Sequence, residues 1–256
     1  MIFGEWTDAD KKKLRLDALA LYKHLRASSS EQTKKSFSDA KGTRDTRIKN
    51  SAPPYNEDVS LAYAAGLMPS VYAATYRVFN EIAKRTESDV QWKPSRIVDW
   101  GSGTASAAWA GKEIWSDLRH YVGLDEVRPM QILSTQLLEA LRPGLQTKLH
   151  QVGLLSSEVT KVSASGVGEI AIAAYTLGDI RHPDQRKKLV EKMWESGAEF
   201  VVLIDRGTPA GFQLIAEARA NLLKLAKGEC HILAPVSLLC SSCQILHSLI
   251  LGPVFP

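Results

Sequence analysis

Cysteine is scarce in this chain: Cys230, Cys240 and Cys243 are the only three among 256 residues, and all lie in the last 27. So few, so placed, exclude a disulfide-framed secreted domain and make a reducing interior the default. The N-terminus lacks the apolar stretch of a secretory signal, and the acids Glu5, Asp8 and Asp10 do not suit a transit peptide, so neither is expected in this form. Charge is missing from one region altogether. Val236 to Pro256 contains no Asp, Glu, Lys or Arg. Its length approaches a membrane span, but its Ser, Gln and His residues and a late Pro argue against one. No internal repeat is evident.

What is present is unevenly distributed. Residues 1–50 hold twelve Lys/Arg against seven Asp/Glu, whereas the whole chain is only +4, so a basic leader precedes a nearly neutral body. Such a leader suits an anionic partner such as RNA, or equally a solvated helical arm. Thr7 followed by Asp10 is a helix-start pattern, and Leu14, Ala18, Leu21 and Leu25 recur at helical spacing behind it. Residues 28–50 are rich in Ser, Lys and Thr and read as a linker. Pro53-Pro54 resets the chain. A short helix is expected from Glu57 to Gly66, and another begins at Pro69 with Val71, Thr75, Val78, Phe79 and Ile82 on its apolar face.

From residue 95 the pattern alternates. Strands are expected at 96–100, 120–124, 146–151, 168–175, 199–205 and 230–234, with helices at 105–117, 128–141, 184–196 and 209–227. This order implies an α/β fold with a mostly parallel, doubly wound sheet. The expected organisation is therefore a basic helical arm and linker (1–50), a helical N-terminal subdomain (51–94), an α/β domain (95–235) and an atypical apolar tail (236–256).

The densest signal is Val98-Asp99-Trp100-Gly101-Ser102-Gly103-Thr104-Ala105. An apolar strand ends in an acid and breaks into two glycines before a small-residue helix, the turn on which a nucleotide-type ligand sits. Ser106 stands where a dinucleotide motif has its third glycine. Asp125, 22 residues after Gly103, ends the next strand and can accept ribose hydroxyls. Two ligands compete. A dinucleotide places an anionic pyrophosphate over the turn, against Asp99. S-adenosylmethionine carries a sulfonium and an ammonium, which Asp99 favours. The candidate binding residues are Asp99, Gly101, Ser102, Gly103, Thr104, Asp125 and Tyr175, with S-adenosylmethionine preferred and an NAD-dependent oxidoreductase as the alternative.

After the fourth strand comes Tyr175-Thr176-Leu177-Gly178-Asp179, where Tyr175 and Asp179 are candidates to line an acceptor pocket. No Asn-Pro-Pro-aromatic run occurs there, which disfavours amino-group methylation of that type. No cysteine is near, which disfavours covalent attack on a pyrimidine. Transfer by positioning remains, and no catalytic residue can be named.

The glycine-turn motif with Trp109 resembles the first motif of the Rsm-type, methyltransferase-like assembly factors of the mitochondrial small ribosomal subunit. Ala62-Tyr63-Ala64-Ala65 with Met68 to Ala74, Ala174-Tyr175-Thr176-Leu177, and Gly207-Thr208-Pro209-Ala210-Gly211-Phe212 are similar to further motifs of that family. Asp205-Arg206 stands where the family often has Glu-Pro. The resemblance covers about residues 55–235. It implies a Rossmann-like S-adenosylmethionine-dependent methyltransferase sheet, small-subunit rRNA and the mitochondrial small ribosomal subunit as partners, and the mitochondrial matrix as location. A monomer with no membrane partner is expected. The resemblance also implies a domain whose catalytic activity is itself in question, so a non-catalytic RNA-binding assembly factor stands as the alternative.

Beyond residue 235 the chain departs from the family, whose Cys-Pro-His…Cys-Pro motif contributes ligands to an iron–sulfur cluster. Here Cys240-Ser241-Ser242-Cys243, with Cys230, His231 and His247, sits in a different context, and neither the cluster nor another metal site is expected. The tail is read as an alternative or truncated C-terminus, leaving the sheet without its last strand unless Gln244 to Leu251 covers the edge.

Overall fold

The computed structural model describes residues 6–39, 55–86, 92–163, 168–234 and 248–253. Among the described residues seven strands form one sheet: β1 (Arg96–Trp100), β2 (His120–Asp125), β3 (Gln146–Gln151), β4 (Glu169–Ala174), β5 (Phe200–Ile204), β6 (Cys230–Ala234) and β7 (Ser248–Pro253). Their order is β3-β2-β1-β4-β5-β7-β6. The first five are parallel; β7 runs antiparallel to both β5 and β6. The expectation that the sheet lacks its last strand is thus corrected. Ser248–Pro253 fills that place, because a charge-free segment with Leu249, Ile250 and Leu251 matches β5, whose five residues are all buried.

Chain order reverses between β1 and β4, which opens a crevice at the carboxyl ends of these strands. The glycine turn at 101–103 and the strand-end acids Asp99 and Asp125 lie along that edge.

Helices cover both sheet faces. On one side α3 (Met68–Thr86) and α4 (Ser106–Ile114) lay Phe79, Ile82, Ala107, Ala108 and Ala110 against Ile97, Tyr121, Ile170 and Val202. On the other, α6 (Ser157–Ser163), α7 (Pro183–Glu195) and α8 (Pro209–Ala226) pack Val159, Leu189, Met193, Ile215 and Leu222 against Val98, Trp100 and Leu203. Phe79 and Ile82 are fully buried. Fully burying side chains of this size stabilises by roughly 1.5–3 kcal/mol each, so α3 belongs to the core and is no appendage. Gly111 permits the close seating of α4: a Cβ there would stand 2.5 Å from Ile97 Cδ1. Ser106, in the third-glycine position, is buried and hydrogen-bonds Thr104 instead.

The N-terminal helix α1 (Asp8–Asp39) starts as the sequence suggests. The Thr7 amide and hydroxyl both donate to Asp10, whose amide donates back to Thr7 Oγ1. It continues past residue 28, where a linker is expected. No Pro or Gly interrupts 28–39, and Glu31, Gln32, Lys34 and Lys35 are good helix formers that outweigh the serines. Leu21 and Leu25 of α1 close on Ala62 of α2 (Glu57–Gly66), and α2 in turn meets α5 (Arg128–Leu138). The Asn56 side chain caps α2 by accepting from the Val59 amide at 2.9 Å. This clamp carries α2 to the functional edge of the sheet. Among the described residues no helix is long and apolar enough to cross a membrane. Residues 40–54 and 235–247, with Cys240, Cys243 and His247, lie outside the described residues.

Candidate ligand-binding and acceptor cleft

Strand alternation sends Ile97 and Asp99 of β1 and Tyr121, Gly123 and Asp125 of β2 to one face. Asp99 is 3% exposed and accepts a 2.7 Å hydrogen bond from the Tyr121 hydroxyl. Its neighbour in register is Gly123, where a Cβ would come within 2.9 Å of Ser102 Oγ. A side chain there would push the loop off the strand.

Gly101 and Gly103 form the turn at φ +80° and +49°. Each answers a different need. A Cβ on Gly101 would stand 2.5 Å from Thr176 Oγ1, so this glycine lets the first loop touch the end of β4; Thr176 Oγ1 in turn donates to the Trp100 carbonyl. A Cβ on Gly103 would meet nothing within 4 Å. The turn is therefore packed behind Gly101 and open in front of Gly103. The Gly103 amide donates to Asp125 Oδ2 at 2.8 Å, and the Val127 amide donates to Oδ1 at 2.8 Å. Both oxygens keep lone pairs for further donors. Ser102 is buried, its amide donating to the Leu124 carbonyl; Thr104 is buried with its hydroxyl on Ser106. These two contribute through the backbone of the turn.

Burial pushes the Asp99 carboxyl up to about 7, against the Tyr121 hydrogen bond and with the Asp125 charge adding to it. Burial also raises Asp125, opposed by the Val127 and Gly103 amides. Neither acid has a cationic side-chain partner among the described residues. Two desolvated carboxylates at one turn, the charge of Asp125 raising Asp99, make a place where a cation lowers the free energy.

The facing wall comes from α2, β4 and β5. Tyr175 follows β4 at φ +62°, a left-handed conformation costly for an aromatic residue, and its amide donates to the Ile204 carbonyl. Asp205 follows β5, 2% exposed, accepting from the Arg206 and Gly178 amides; burial pushes it up to about 6. Arg206 pairs with Asp179 at 3.4 Å. Tyr55 and Tyr63 meet edge to face with centroids 6.3 Å apart. Both are raised by burial and by the charge of Asp179, with Arg206 acting in the opposite sense on each. Asp179 keeps 43% of its side-chain exposure, yet burial is the largest influence on it. A group enclosed by protein but reachable by solvent lies on the wall of a cleft. Two other surface grooves, of about 620 Å³ beside α1, α2 and α5 and about 410 Å³ between α7 and α8, contain none of these wall or turn residues.

The structure thus brings together the sequence candidates Asp99, Gly101, Gly103 and Asp125, and places Tyr175 and Asp179 across the cleft. Sequence reasoning assigned no role to Tyr121, Tyr55, Tyr63, Asp205 or Arg206. Period-2 alternation from Asp125 would have found Tyr121. Tyr63 and Arg206 stood inside recognised motifs, but only the docking of α2 shows what they face.

The Gly-Thr-Pro-Ala-Gly-Phe segment explains itself in this frame. Thr208 caps α8 by accepting from the Gly211 amide at 3.1 Å, and Pro209 opens the helix. A Cβ on Gly211 would stand 2.0 Å from the Arg206 carbonyl oxygen. The motif holds Arg206 in the wall.

Strand order, glycine turn and strand-end acids define the Rossmann-like fold of the S-adenosylmethionine-dependent methyltransferases. The solved CurJ carbon methyltransferase superposes with a TM-score of 0.51 at 14% identity, over 78% of this chain and 58% of that one. Within that class the chain belongs to the Rsm22 family, described as mitochondrial small ribosomal subunit Rsm22, whose model matches residues 57–247. The human ribosome assembly protein METTL17, mitochondrial, is 30% identical over 171 residues, 66% of this chain and 36% of that protein. The Schizosaccharomyces pombe Rsm22-cox11 tandem protein 2, mitochondrial, is 24% identical over 229 residues, 82% of this chain and 30% of its own length. The chain spans about a third of the length of these curated relatives.

Proposed function

We propose that this is an S-adenosylmethionine-binding, methyltransferase-like protein that acts on or with rRNA of the mitochondrial small ribosomal subunit during its assembly. One observation carries the ligand: two buried carboxylates, without a cationic partner among the described residues, flank a glycine turn whose open side is at Gly103. A sulfonium and an ammonium suit that charge, whereas an NAD pyrophosphate would be repelled. Asp99 and the backbone of 101–104 would hold the methionine end, Asp125 the ribose hydroxyls, and Tyr175 the far side. Bound there, S-adenosylmethionine supplies an activated methyl group. The chain's own part is to orient an acceptor and exclude water. The ribosomal partner and the mitochondrial location rest on family membership and on the relatives named above. The basic leader supports contact with RNA.

A second reading, an assembly factor that binds but transfers nothing, is favoured by the cleft's lack of a free base among the described residues. Asp205 is committed to two amides and Asp179 to Arg206.

Calorimetry with S-adenosylmethionine, S-adenosylhomocysteine and NAD, followed by rRNA methylation mapping in cells carrying Asp99→Ala, tests both. Binding of the first two ligands and loss of a methyl mark support an enzyme. Binding with no missing mark and normal assembly favours the scaffold. Preferential NAD binding overturns both.

A further inference from the structure

We propose that the wall formed by Tyr55, Tyr63, Tyr175, Asp179 and Arg206 is a binding site for one unstacked nucleobase of a single-stranded RNA segment. The inference rests on the ligand reading above and names the acceptor class for the same cleft.

The Tyr55 and Tyr63 rings meet edge to face at 6.3 Å, Arg206 pairs with Asp179 at 3.4 Å, and the Tyr175 amide donates to the Ile204 carbonyl, one residue before Asp205. The Asp179 carboxylate and the Arg206 guanidinium act on both Tyr55 and Tyr63, and Tyr175 acts on Tyr63. Tyr55, Tyr63 and Tyr175 are all half-buried residues. Aromatic rings receive bases without regard to sequence, because every base has a π-face. The polar pair matches a base edge: a carboxylate accepts from an exocyclic amino or ring N–H group, and a guanidinium donates to a ring carbonyl or nitrogen. The pair is a weak one, at 3.4 Å, so most of the five Arg206 donors are not used by it. The pair has no net charge and the Asp205 carboxyl lies beside it, which suits a neutral heterocycle with N–H donors and disfavours a free phosphate.

Phosphates have their own place. Arg181 and Lys188 are exposed and follow within nine residues of Asp179, while Lys187 pairs with Glu191 and Arg186 is turned inward onto the Ile180 and Arg181 carbonyls. An aromatic wall followed closely in the chain by exposed cations suits reading a base and tracking its backbone.

Gly178 holds the pair in position. A Cβ there would lie 2.9 Å from Arg206 Nη1 and 3.2 Å from Asp205 Oδ1. The guanidinium therefore passes over bare backbone, anchored beneath by the Gly178 amide on Asp205.

The test uses the full chain saturated with S-adenosylhomocysteine and a fluorescein-labelled single-stranded RNA, read by anisotropy. The same strand carrying one abasic residue is the comparison. Wild type should bind the intact strand about tenfold more tightly than the abasic one, the size of one base–aromatic stack. Arg206→Gln and Tyr63→Ala should each remove most of that preference while calorimetric S-adenosylhomocysteine affinity stays within about twofold. Tyr63 also packs against the α1–α2 cluster, so Arg206→Gln and Asp179→Asn carry the test if Tyr63→Ala does not fold. Equal binding of intact and abasic strands by wild type overturns the proposal, as does base preference that survives Arg206→Gln and Asp179→Asn. A wild type that discriminates bases but fails to bind S-adenosylhomocysteine overturns the ligand reading and leaves the base site standing.

Discussion

The Gly103 amide donates to Asp125 Oδ2 at 2.8 Å, so the carboxylate that ends the second strand closes the turn that ends the first. The loop shape and the Asp125 carboxylate are one unit, and a change to either reaches the other.

Asp125→Ala should therefore do more than delete the proposed ribose acceptor. It frees the Gly103 and Val127 amides together, and a hydrogen bond to a charged group contributes about 1.5–3 kcal/mol. S-adenosylhomocysteine affinity should fall at least about tenfold, and amide exchange at Gly103 should accelerate. Unchanged calorimetry with unchanged exchange would show that the turn stands without its acid.

Asp99 makes stability depend on pH in the less familiar direction. Its carboxyl sits at about 7 in the folded protein and near the ordinary 3.8 when unfolded. The native state thus holds a proton that the unfolded state has released, and stability falls as pH rises from about 4 through 7. Asp205, at about 6, acts in the same sense over a narrower window. Asp99→Asn keeps an acceptor for Tyr121 without the buried charge. Its Tm should exceed that of the wild type at pH 8 and change less between pH 5 and pH 8. The same variant should lose affinity for S-adenosylmethionine more than for the neutral-sulfur S-adenosylhomocysteine. A wild-type Tm that rises steadily across that interval, together with a parallel curve for the variant, would remove Asp99 from this account.

Tyr175 offers a comparison of two truncations. Both Tyr175→Ala and Tyr175→Gly lose the ring, but only glycine relieves φ +62°. Glycine is ordinarily the more destabilising replacement; here it should be the more stable by about 1 kcal/mol, the cost of a Cβ in the left-handed region. Denaturant midpoints of the two proteins decide the matter, and the ordinary order would mean that the strain is absent.

Gly211→Ala places a methyl group 2.0 Å from the Arg206 carbonyl oxygen. Either the start of α8 or the Arg206 backbone must shift. We expect a loss of about 1–3 kcal/mol, with a drop of several degrees in Tm. Native-like stability with unaltered RNA binding would show that α8 can slide at no cost.

Much of the fold was legible because its signals are local. The strands at 96–100, 146–151 and 230–234 fall where the sequence places them: the first is a buried parallel strand that reads as a short apolar run, and the other two are edge strands set off by the helices and turns on either side. Asp99, Gly101, Gly103 and Asp125 were legible for a related reason: a glycine turn and strand-end acids carry their meaning in spacing. What was not legible depends on packing. β7 lies in a segment whose pattern suits a buried tail as well as a strand, and only the vacancy between β5 and β6 selects the strand. α6 is seven residues long, too short for a period to show. Tyr55 and Tyr63 reach the cleft because Leu21 and Leu25 of α1 clamp α2 in place, a relation between residues about forty positions apart.

The position of β7 also sets an order in time. Synthesis runs from the N-terminus, so every residue of the cleft, from Tyr55 to Arg206, leaves the ribosome before the strand that separates β5 from β6. Until then β6 is made but must not pair with β5, and a slot one strand wide has to stay open. Premature closure of that slot is a kinetic trap of the kind that delays parallel sheets. Pulsed hydrogen exchange during refolding should protect β1, β2 and β4 before β5 gains its β7 bonds. A ligand held at the glycine turn would then meet a complete binding site in a molecule whose sheet is still unfinished.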